Sequence, residues 1–120
     1  MRPGDPRDTA PRPVPARELW GLTSGFLIWA SALVLVYATH SLGCAFGWPP
    51  GATRLALAGV LLAHMALIAV LWRVRTRRGP DPAQGRAGAF FYWVILATLA
   101  AALVKIVFTL GPALLLTVCV

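Results

Sequence analysis

Residues 55 to 72 read LALAGVLLAHMALIAVLW, eighteen positions without a charge, with Arg54 before them and Arg73 behind. A helix of that length, at ~1.5 Å per residue, roughly matches the ~30 Å hydrocarbon layer of a bilayer. A chain of 120 residues offers no globular core that could house it. The stretch therefore predicts a membrane-crossing helix. The basic cluster that follows, Arg73, Arg75, Arg77 and Arg78, marks the end that stays on the cytoplasmic side.

The whole composition points the same way. With 58% hydrophobic residues, a mean hydropathy of +0.72 and 12% charged residues, the chain carries more apolar surface than a small soluble domain can cover. The net charge of +7 does not indicate nucleic-acid binding, because no polar scaffold presents basic residues interleaved with aromatics. The expected solvent is lipid.

Working outward, no charge occurs from Leu19 to Thr53, and Trp20 to Thr39 forms a first span with Trp20 and Tyr37 near its ends. Gly43, Gly47, Pro49, Pro50 and Gly51 then interrupt the pattern, so a short loop joins antiparallel neighbours. Beyond the middle span, Arg73 to Arg86 is a basic connection broken by Gly79, Pro80, Pro82 and Gly85. A third span opens on the interfacial group Phe90, Phe91, Tyr92 and Trp93, and Gly111-Pro112 ends it. Residues 1–17 hold five prolines and four arginines with almost nothing apolar, which predicts a disordered tail.

The expected architecture is thus an all-α integral membrane bundle of three transmembrane helices, with spans near 20–39, 54–72 and 89–111 within a domain 18–120 and an external tail 112–120. The tail and second connection hold nine Lys and Arg residues against Arg54 alone in the first loop. The positive-inside rule then puts the N-terminus inside and the C-terminus outside a bacterial inner membrane. A lipoprotein signal ending at Cys44 is not expected. The preceding apolar run exceeds the ~7–15 residues of a signal core, and position 41, where a lipobox has leucine, is Ser41.

Lipid removes the hydrophobic drive between helices, so seams are expected at small residues. Gly21 and Gly25 form a GxxxG pair, and Gly59/Ala63 and Ala97/Ala101 repeat the spacing.

Few residues carry chemistry. His64 falls near mid-depth, where Ser31 and Thr98 can bond its ring; a haem-ligand role is the sharper reading and needs a second ligand from another chain. Lys105, the single charge of the third span, serves as an interface anchor or pairs with a partner. No Asp or Glu lies in any span, so this chain alone builds no carboxylate proton relay. Cys44 and Cys119 both fall on the external side, where a disulfide is expected; a copper site with His40 is the alternative. No nucleophile–base pair or phosphate-binding loop suggests an enzyme.

Ala30 to Trp48 (ASALVLVYATHSLGCAFGW), together with Leu110-Gly111-Pro112-Ala113 and the late Cys119, resembles small three-helix bacterial inner-membrane proteins encoded beside caa3-type cytochrome c oxidases. The resemblance implies a role near haem-copper oxidase structure or assembly and assigns no residue a task. The expected function is a non-catalytic accessory or assembly protein, partnered by respiratory oxidase subunits or by copies of itself. An external thiol or copper-handling protein and a small oligomeric transporter using His64 and Lys105 are the alternatives.

Overall fold

The computed structural model describes residues 13–115 and Cys119. It is helical, with no strand among the described residues. Three long helices, α1 (Ala16–Ala45), α2 (Pro50–Arg78) and α3 (Gly85–Leu115), run up, down and up, and a 3-10 turn at Pro82–Gln84 precedes the last. Each is long and apolar enough to cross a membrane.

All three exceed the spans expected from hydropathy. α1 starts at Ala16, so it takes in Arg17 and Glu18 from the region expected as tail and domain edge. Pro15 is extended and stops the helix, while Glu18 in the first turn complements the positive end of the helix dipole. Residues 1–12 of the expected tail lie outside the described residues. α2 carries on through the basic cluster to Arg78, since arginine is a good helix former and cations suit a helix C-terminus. The second connection shrinks accordingly.

The predicted break at Gly111-Pro112 is not there: α3 continues to Leu115. Pro112 stands in the last turn, where its missing N–H removes one helical bond, and Gly111 before it has no Cβ to crowd the proline ring. Of the external tail expected beyond it, residues 116–118 and 120 lie outside the described residues.

The α1–α2 turn follows from its sequence. Gly47 has φ +63°, and the bonds Gly47 N–H to Cys44 O and Trp48 N–H to Gly43 O close a Schellman motif. Pro50 then opens α2 at its first position, where no backbone donor is needed.

The core is a narrow seam. Ile28, Ala32 and Val36 from α1, Leu57 and Ile68 from α2, and Ile95, Leu99, Ala102, Ile106 and Leu110 from α3 are buried together. Phe26, Val34, Leu35, Leu55, Leu62, Val104 and Phe108 point outward, as expected of helices whose solvent is hydrocarbon. At Gly25 the backbones of α1 and α3 come close: a Cβ there would stand 3.0 Å from the backbone oxygen of Thr98, so the missing side chain lets the two helices meet this closely. The other two small pairs are not seams. Gly59, Ala63, Ala97 and Ala101 are all exposed, and Gly59 has nothing near its missing side chain. On helices that are apolar all round, small-residue spacing does not distinguish an inner face from an outer one.

Candidate functional site

The contacts fix the register of the bundle. Glu18 meets Arg75 at one end, Ser31 meets His64 midway, and Gly43 meets Thr53 at the other. Gly21 and Gly25 of α1 face Ile95 and Thr98 of α3. Each polar group can therefore be given a level.

At the middle level two polar residues sit on different faces. His64 is buried in the α1–α2 seam, 9% exposed. Its Nδ1 is 2.8 Å from the carbonyl of Val60, and because a carbonyl only accepts, that nitrogen carries the proton. In the neutral ring Nε2 is then an acceptor, and the Ser31 hydroxyl lies 3.1 Å from it. The same hydroxyl is 2.9 Å from the Ile28 carbonyl, so its single proton serves one of two acceptors. Thr98, expected to bond the ring, donates instead to Ile95 O at 2.8 Å within its own helix. Both ring nitrogens thus face groups of the seam, Nδ1 the Val60 carbonyl and Nε2 the Ser31 hydroxyl.

Lys105 points the other way, into a groove of about 280 Å³ between α1 and α3. Gly25, Thr98, Ala101 and Ala102 line it with Leu22, Phe26 and Trp29. The ammonium lies 5.5 Å from the centre of the Trp29 ring. Trp29 is eleven residues along α1 from Glu18 and fifteen short of Cys44, or ~16 and ~22 Å at ~1.5 Å per residue. A lysine stem reaches only ~6 Å, so the ammonium stands near the middle of α1, remote from both of its ends. A cation–π contact contributes ~0.5–2 kcal/mol, whereas a lysine at a bilayer centre costs ~2.5–3.5 kcal/mol on insertion scales. The aromatic ring offsets only part of that. The indole Nε1 of Trp29 is enclosed and has no acceptor among the described residues.

At the Gly43 end, Cys44 and Cys119 form a disulfide with Cα atoms 5.6 Å apart. His40 Nδ1 is 3.9 Å from Cys44 Sγ, one helical turn away. Both line a cavity of about 230 Å³ with Trp48, Pro50 and Thr53. A thiolate, not a disulfide sulfur, is the ligand for soft metals, so the bonded form offers no Cu(I) site.

The opposite end holds a network that sequence reading did not single out. Arg75 donates to Glu18 at 2.5 Å, and Arg17 donates to Asp81 at 2.6 Å, with Arg17 also 3.8 Å from Glu18. These four side chains tie the start of α1, the end of α2 and the second connection. The available signal was Glu18, the one acidic residue beside a span, which antiparallel pairing carries to the level of Arg75. Trp29 was missed as well; a tryptophan inside a span, away from either interface, was its signal.

Compared with protein-family models, curated proteins and solved structures, the chain matches none.

Proposed function

We propose that this chain is a non-catalytic accessory protein of a bacterial inner membrane, with its N-terminus inside and C-terminus outside, that docks beside a larger integral membrane protein. One observation carries the reading: the groove between α1 and α3, floored by small residues and open along the helices, exposes the mid-depth cation Lys105. Small residues allow close helix approach, and polar residues facing out of a bundle within lipid are expensive unless covered. The nine basic residues of the N-terminal stretch and second connection support the orientation. The resemblance of Ala30 to Trp48 and the Pro112–Cys119 end to proteins encoded beside caa3-type oxidases supports a haem-copper oxidase as the host.

The transporter reading gains no support, because His64 is sealed in one seam while Lys105 opens on another face. A thiol-exchange role keeps one favouring observation, the His40 ring against Cys44 beside a cavity. Purification from native membranes in mild detergent separates these readings. The accessory reading expects co-migration with a larger membrane complex, with haem absorption if the host is an oxidase. A chain that migrates alone at every detergent concentration overturns it.

A further inference from the structure

Resting on that accessory reading, we infer that the α1–α3 groove receives a transmembrane helix of another protein that carries a carboxylate at mid-depth, held by Lys105. Charge complementarity selects the occupant, because hydrocarbon tolerates no lone charge. The ammonium lies against Trp29, about half-way along α1, too far from either end for a lysine stem to reach water. The acidic side chains among the described residues are Glu18 and Asp81, and both are engaged by Arg75 and Arg17 at the basic end. Among the described residues no acidic side chain is placed to neutralise the cation.

A second copy of this chain does not fit. Its spans contain no Asp or Glu, so pairing the same face twice would set two ammonium groups together in lipid. A lipid phosphate stays at the headgroup level, ~16 Å or more from the ammonium by helical rise. A distinct helix remains. The floor suits it, since Gly25, Ala101 and Ala102 let a backbone come close while Phe26 and Trp29 form one wall. The register also places the partner's acid. It should lie roughly ten or eleven residues in from the partner's boundary on the basic side, the offset at ~1.5 Å per residue between the Glu18 level and Trp29.

The test uses the full-length tagged chain in its native membranes, with Lys105→Arg, Lys105→Met and Lys105→Glu compared with wild type by the amount of partner retained in mild detergent. Disulfide-bonded, monodisperse protein for each variant establishes that it is folded. The expected result is retention by Arg and at least a tenfold loss with Met and Glu. Replacing the partner's mid-depth Asp or Glu by Lys should restore binding to the Lys105→Glu chain. Partner retained equally by Lys105→Met overturns the carboxylate pairing while leaving the accessory reading intact. Absence of any partner from the wild-type chain overturns both. Loss of a self-dimer, or of binding that added anionic lipid alone restores, assigns the groove to a second copy or to lipid and overturns the proposal.

Discussion

Replacing Glu18 by Gln removes one charge from the network at the basic end while keeping shape and an acceptor. Glu18 Oε2 is 2.5 Å from Arg75 Nη2, the carboxylate side chain is 9% exposed and the guanidinium 21%. Breaking a fully buried pair costs ~3–5 kcal/mol, whereas exposed pairs contribute ~0–1 kcal/mol. This pair is enclosed by protein on one side and stands at a helix terminus on the other, so a coupling of about 2 kcal/mol is expected between those limits. The second pair, Arg17 with Asp81, has an Arg17 side chain that is 67% exposed, and solvent should screen it to ~0.5 kcal/mol or less. A double-mutant cycle with Glu18→Gln and Arg75→Gln, read by reversible unfolding in bicelles through tryptophan fluorescence, isolates the term. A coupling within ~0.5 kcal/mol of zero, the ordinary error of additivity, would show the pair to be solvated and refute the argument.

Three further outcomes follow from the same geometry. Gly25→Val puts a branched side chain against the Thr98 backbone and should destabilise the α1–α3 contact by ~1–3 kcal/mol in the same unfolding assay; an unchanged midpoint would deny the close approach. Ser31→Ala removes the hydroxyl beside His64 Nε2 and should cost ~0.6 kcal/mol, the average for hydrogen bonds between membrane helices, and a double-mutant cycle with His64→Ala should return a coupling of about that size. Cys44→Ser and Cys119→Ser should each lower stability by the same amount, and the double replacement by no more than either alone, because both singles open one disulfide.

What the sequence made legible was whatever charge and chain breakers control. Uncharged runs in a basic chain locate three spans, and Gly47 with Pro49 and Pro50 marks the first turn because positive φ and a missing donor have few hosts. Helix ends were less legible, since arginines after Trp72 end the hydrocarbon match without ending the helix. The faces were least legible. In water an apolar stripe points inward, but here Ala97, Ala101 and Gly59 are as much at home against lipid as Ala32 is in the seam. For the same reason His64 could be placed at mid-depth by counting, while the choice of Ser31 over Thr98 as its partner depended on helix rotation. Thr98 also had a bonding option within its own backbone, as hydroxyls on membrane helices often do.

The Cys44–Cys119 bond also changes what it means to pull on this molecule. With the joined residues 75 positions apart in sequence, α2 and α3 belong to a covalent ring from which α1 hangs as a linear leader. A processive unfoldase gripping the N-terminal end can thread α1 as one strand only as far as Cys44. Beyond that residue it must draw two strands through its pore together. The oxidised protein should therefore leave a trimmed remnant that begins near the ring, and the reduced protein should be consumed without one.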